Sequence, residues 1–155
     1  MVLSDNLKKN NILVNVRSKE PAALFDKLLS LAVKNGEIQP DNLETIKSAL
    51  ITREKSMTTG IGNGLAIPHC VFPKIKKPVI MLATINEGMD FSSIDDKPVY
   101  IAVLLVFPED KMSSHIKLLA NIAQIMSNRK FMEKLISLKN PDGILKAVKN
   151  YNNDG

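Results

Sequence analysis

A chain of 155 residues, 45% of them hydrophobic, can bury a full core, and its length fits one domain, residues 1–155, with the core between residues 10 and 148. No apolar run approaches the ~20 residues that span a bilayer, no apolar stretch follows Lys8 and Lys9 as a signal peptide would require, and the single cysteine, Cys70, excludes an internal disulfide, so a reducing, cytoplasmic setting is expected. A net charge of +5 would suit nucleic acid, but the lysines are scattered among acidic residues, only Lys74, Lys76 and Lys77 cluster, aromatics are 5% and tryptophan is absent, so no nucleic-acid partner is expected.

Residues 1–10 are polar and read as loosely ordered. Ile12, Val14 and Val16 alternate with Asn11, Leu13 and Asn15, the period of a strand with one buried face. Ser18 is placed to cap a helix whose first turn holds Pro21. Leu24, Phe25, Leu28, Leu29 and Ala32 recur at helical spacing, and Gly36 is placed to end that helix. Pro40-Asp41 opens a second helix, carrying Leu43, Ile46 and Leu50 and running towards Arg53. A glycine-rich stretch, Gly60-Ile61-Gly62-Asn63-Gly64, precedes a short apolar run, Leu65-Ala66-Ile67. Pro68 stops the run, and His69 stands just past it. Val79 to Ile85 is strand-like, Asn86-Glu87-Gly88 reads as a turn, and Phe91 to Lys97 as a polar link.

Val99 to Phe107 is the most apolar run in the chain and is closed by Pro108, as expected of a central strand buried on both faces. Ser113 or Ser114 can cap the next helix. Ile116, Leu119, Ile122, Ala123 and Met126 form its apolar stripe, and His115 sits in its first turn. Asn128 starts a helix with Phe131, Leu135 and Leu138, and Asn140-Pro141 starts a last one with Ile144, Leu145 and Val148. Asn150 to Gly155 reads as a frayed tail. Strands interspersed with helices give a layered α/β fold.

The chemistry available is narrow. There are two histidines, no cysteine pair at metal spacing and no H-x₃-H pattern, so no metal site is expected. Gly-x-Ser-x-Gly is absent. The glycine stretch lacks the Gly-Lys-Ser/Thr ending of a nucleotide loop and precedes a strand rather than a helix. Its glycines suit positive φ and close approach to a ligand, and successive amides in such a turn can form a concave anion site. Loop, strand, proline and histidine in that order read as an anion cradle beside a presented imidazole.

A neutral imidazole is itself a nucleophile, and an unperturbed pKa of ~6.5 leaves most of it neutral at pH 7. Attack on a phosphoryl group would give a phosphohistidine, with charge spread over three oxygens in the transition state. An arginine fork can meet those oxygens, and Arg53 is the candidate; its bland alternative is a salt bridge to Glu54 or a helix cap. Cys70 reads as a structural thiol. Met57, Met81, Met89, Met112 and Met126 read as gap-filling packing.

Arg53-Glu54 followed by Thr59-Gly60-Ile61-Gly62-Asn63-Gly64-Leu65-Ala66-Ile67-Pro68-His69 resembles the signature of the enzyme IIA domains of the bacterial phosphotransferase system, in the fructose, mannitol and nitrogen-regulatory class. The likeness continues through Phe91, Ile94-Asp95, Pro98-Val99, Pro108-Glu109-Asp110, His115, Leu118-Leu119 and Ala120. It implies a mixed β-sheet covered by helices on both faces, in three layers. It implies that His69 accepts a phosphoryl group from the histidine carrier HPr, that His115 lies close to it, and that Arg53 is an oxyanion partner. Thr59, Gly60, Gly62, Asn63 and Gly64 would form the phosphoryl-binding loop. No cofactor is implied. The onward partner would be the IIB domain of a sugar transporter, the only link to a membrane, or a regulatory target protein. The chain departs from the family pattern in two places: Met57-Thr58 stands where Gly-Ser or Gly-Thr is frequent, and Cys70 where glycine is common.

Overall fold

The structure, a computed structural model, describes residues 1–151. It is built around β6 (Val99–Phe107), in which every residue but Tyr100 is buried. Such a run suits a strand covered on both faces. Ile101, Val103, Leu105 and Phe107 enter one core, while Ala102, Leu104 and Val106 enter the other.

β5 (Val79–Met89) runs antiparallel along one edge of β6, with Val79 opposite Val106 and Ala83 opposite Ala102. β1 (Ile12–Leu13) adds parallel to β5. Along the other edge of β6 lie two short parallel segments in succession. β3 (Leu65–Ala66) is level with Ile101 and Ala102, and β4 (His69–Val71) is level with Leu105 to Phe107. Ile67-Pro68 separates them, and proline has no N–H to give a ladder. β2 (Gly60–Gly62) pairs antiparallel with β3 and completes a mixed six-stranded sheet.

Helices cover both faces. α2 (Pro21–Lys34) and α3 (Leu43–Ser56) bring Leu24, Phe25, Leu28, Ile46 and Leu50 onto Met81, Leu104 and Val106. α1 (Leu3–Asn6), α4 (Met112–Met126), α5 (Arg129–Ser137) and α6 (Pro141–Asn150) bring Leu3, Leu118, Ile122, Leu135 and Ile144 onto Leu82, Val103 and Leu105. The three-layer α/β arrangement is the expected one. Two helix starts match the sequence reading, and in the fold both are capped: Asn128 Oδ1 accepts from Phe131 N at 3.0 Å, and Asn140 Oδ1 from Gly143 N at 2.8 Å. Each such cap contributes about 1 kcal/mol.

Several local expectations fail. The first ten residues are not loose: Leu3 and Leu7 are buried, and Leu3 N donates to Asn121 Oδ1 at 2.8 Å. Two leucines are too few to show a period. β1 is only two residues long, because Asn15 turns left-handed at φ 53°. Ser18 caps nothing; Glu20 is the residue before α2, and its side chain makes no cap bond. Asn86-Glu87-Gly88 is not a turn, since β5 continues through it with a shifted register and Gly88 at φ 79°. Neither Ser113 nor Ser114 caps α4; Lys111, left-handed at φ 60°, precedes it. Ile116 is exposed, and the buried stripe of α4 runs through His115, Leu118, Ile122, Ile125 and Met126. Of the supposed tail, Asn150 ends α6 and Tyr151 packs on Phe131 with ring centroids 4.6 Å apart; residues 152–155 lie outside the described residues.

Candidate functional site

His69 is the first residue of β4, not a residue past a strand end. Its half-buried ring folds back on its own chain, with Nδ1 2.8 Å from the Ile67 carbonyl oxygen. A carbonyl only accepts, so in this geometry the neutral ring keeps its proton on Nδ1 and leaves the lone pair on Nε2. The main chain around it is asymmetric. Pro68 O accepts from Leu105 N at 2.9 Å, and Phe72 N donates to Phe107 O at 2.8 Å. Alternate residues of β4 therefore bond to β6, and the main-chain groups of His69 and Val71 face the outer edge of the strand.

Register settles which residues share a face. His69 pairs with Leu105, so its side chain projects on the face where Leu105 and Phe107 meet α4. His115, in the first turn of α4, is stacked on Phe107 with centroids 4.1 Å apart and planes at 16°. Phe107 lies two residues along β6 from Leu105, ~7 Å. The two histidines thus occupy one face at one end of the sheet. His115 is 2% exposed, and neither ring nitrogen has a hydrogen-bond partner among the described residues. Burial pushes its pKa below the ordinary value and so favours the neutral ring, partly opposed by the carboxylate of Asp110.

Arg53 lies in the last turn of α3, on the opposite face. Its Nη1 donates to Met57 O at 3.2 Å. Thr59 O accepts from Ile67 N at 3.0 Å, continuing the β2–β3 ladder, and two further steps carry Met57 towards the level of His69. The arginine is thereby tied to the segment that leads into Thr59, and none of its hydrogen bonds goes to the ring.

The glycine stretch lies apart from the histidine. Gly62, Asn63 and Gly64 have φ of 99°, 58° and 82° and turn the hairpin between β2 and β3. The tip is level with Tyr100 and Ile101, whose amides both donate to Gly64 O, at 2.8 and 3.0 Å. His69 is level with Leu105, four residues or ~13 Å further along β6. The amide of Asn63 is spent on Asp95 Oδ2 at 3.0 Å, and that of Gly60 on Thr58 Oγ1 at 3.0 Å. The hairpin tip is therefore not a cradle at the imidazole. Of the expected loop, Thr59 is the member next to the histidine's segment, through Ile67. Sequence reasoning also passed over Glu54 and Phe107. One was read as a neighbour of Arg53 and the other as core, and only the folded chain distinguishes them.

Among the described residues no group of three or more His, Cys, Asp or Glu could hold a metal ion, and no helix is long and apolar enough to cross a membrane. The sequence model of the family described as "Phosphoenolpyruvate-dependent sugar phosphotransferase system, EIIA 2" matches residues 5–151. The chain belongs to this EIIA family. A member of it is a component of a phosphotransferase system. A nitrogen regulatory protein of Bradyrhizobium diazoefficiens is 34% identical over 135 residues, covering 87% of this chain and 85% of the relative. The fructose-specific EIIABC component of Bacillus subtilis is 25% identical over 151 residues, 97% of this chain, but the chain spans only 24% of that protein's length. Of solved structures, the nitrogen regulatory protein IIA-Ntr of Neisseria meningitidis shares the EIIA fold with a TM-score of 0.85 at 23% identity, over 94% of this chain and 98% of that one.

Proposed function

We propose that this EIIA protein is a phosphohistidine carrier. Nε2 of His69 attacks the phosphoryl group of an HPr-type phosphohistidine; the new N–P bond forms as the donor's N–P bond breaks. The phosphoryl group then passes to a IIB domain serving a sugar transporter of the fructose or mannitol type, the carrier's only link to a membrane. The observation that carries this reading is the Ile67 carbonyl on Nδ1, which leaves the nucleophilic lone pair on Nε2.

Further features support it. His115 offers a buried, neutral ring with two unpartnered nitrogens on the same face, and an N–H there suits a phosphoryl oxygen. No side chain caps the first amides of α4, so its N-terminus favours an anion at that end of the sheet. Arg53 would add a guanidinium from the far side of the segment 57–59. Val71, Met112 and Ile116 are exposed apolar side chains on β4 and α4, as a protein partner requires.

A second reading is favoured by the nitrogen regulatory relative that matches over most of both chains. In it, phosphorylation of His69 controls binding to a regulatory target, and no sugar is the final acceptor.

Incubation with phosphoenolpyruvate, enzyme I and HPr should add one phosphoryl group to the wild type and none to His69→Ala. Equal labelling of the variant would reject His69. Sugar phosphorylation by transporter membranes supplemented with the phosphorylated protein supports the first reading. Absence of that activity, with target binding that changes on phosphorylation, supports the second.

A further inference from the structure

We infer that Glu54 is the positioning residue that sets the tautomer and aim of the His69 imidazole; its consequence for transfer rests on His69 being the phosphoacceptor, as proposed above. Glu54 lies in the last turn of α3, where the helix dipole disfavours a carboxylate. Its place there is explained by what it holds. Its two oxygens accept from Thr59 N at 3.1 and 3.2 Å, and Oε2 accepts from Thr59 Oγ1 at 2.6 Å. Thr59 is 4% exposed, so its donors have little water to turn to.

The hold is passed on through main chain. Thr59 O accepts from Ile67 N at 3.0 Å, and Ile67 O accepts from His69 Nδ1 at 2.8 Å. Ile67 precedes Pro68, which restricts it to extended backbone. Its N–H is fixed by the Thr59 segment and its carbonyl aims at the ring. A carboxylate from the α3 face thus fixes a carbonyl that holds the proton of an imidazole on the other face.

The place calls for two acceptor oxygens. A glutamine has one amide oxygen, and its NH₂ suits Thr59 only if the Thr59 hydroxyl turns round to accept, so one of the two donor bonds from Thr59 is lost. With Thr59 half-held, Ile67 loosens and the Nδ1–H bond is made part of the time. A ring carrying its proton on Nε2 has no lone pair there to attack phosphorus.

The test is imidazole ¹⁵N NMR at about pH 8.5, where histidine is neutral, alongside transfer from phospho-HPr. Wild-type His69 should show the Nδ1–H tautomer. Glu54→Gln should show a mixture of tautomers and roughly tenfold slower transfer, with KM for HPr unchanged. Thr59→Ser, which keeps both donors, should retain the wild-type Nδ1–H tautomer. A folded Glu54→Gln variant with the wild-type tautomer overturns the inference. Should that variant fail to fold, Thr59→Val decides, since it loses only the hydroxyl; an unchanged tautomer there overturns the inference equally. If the wild type takes no phosphoryl group while the tautomer shifts as expected, the positioning role stands and the phosphocarrier reading falls.

Discussion

The ring of His115 lies almost parallel on that of Phe107, with centroids 4.1 Å apart. The stack fixes the first turn of α4 over the end of β6 and buries a titratable group with no partner. Its pKa is lowered by desolvation against the pull of Asp110. The neutral form therefore belongs to the folded state. Below ~6.5 the unfolded chain takes up a proton that the folded chain refuses, so stability falls with falling pH until the folded pKa is reached. The urea midpoint should be lower at pH 5.5 than at pH 7.5. His115→Phe keeps a ring on Phe107 and should flatten this dependence; parallel pH curves for the two proteins would show that His115 is not its source.

Gly60 needs no unusual backbone, yet it has no room for a side chain. A Cβ there would lie 2.2 Å from the Ser93 hydroxyl oxygen and 3.0 Å from the Ser93 main chain. The two segments are already sealed by Ile94 N donating to Gly60 O at 3.1 Å. Gly60→Ala should cost ~1–3 kcal/mol of unfolding free energy, the usual range for overpacking. Adding Ser93→Gly should recover only part, because the crowding against the main chain of residue 93 remains. A neutral Gly60→Ala in urea denaturation would contradict this.

Cys70 follows His69 in sequence but points to the other face, among residues packed under α3. Burial pushes its thiol from 9.0 up to about 11. At pH 8 it should carry about 100-fold less thiolate than an unshifted thiol. Alkylation by iodoacetamide should be correspondingly slow in the native protein and fast in urea. Rapid native labelling would show the thiol to be open.

Arg53→Lys keeps a positive charge but loses the planar fork and the bond to Met57 O. Phosphoryl transfer to His69 should slow, while unfolding free energy changes by no more than ~0.5 kcal/mol. An unchanged transfer rate would remove Arg53 from the site.

Sequence alone was enough for β6, because nine apolar residues closed by Pro108 suit a strand buried on both faces. It was enough for the helix starts at Asn128 and Asn140, whose cap partners are three residues away, and for singling out His69 behind Pro68. These patterns are local. Tertiary structure alone decided which residues meet. Parallel pairing of β3 and β4 with β6 sets the glycine hairpin at one end of the sheet and His69 at the other. The same pairing turns His69 towards α4 and Cys70 towards α3, because neighbouring side chains on a strand project to opposite faces. The buried side of α4 was set by packing, which took in His115 and left out Ile116. The grip of Glu54 on Thr59 joins a helix end to a hairpin, and only the folded chain brings those groups within hydrogen-bond reach.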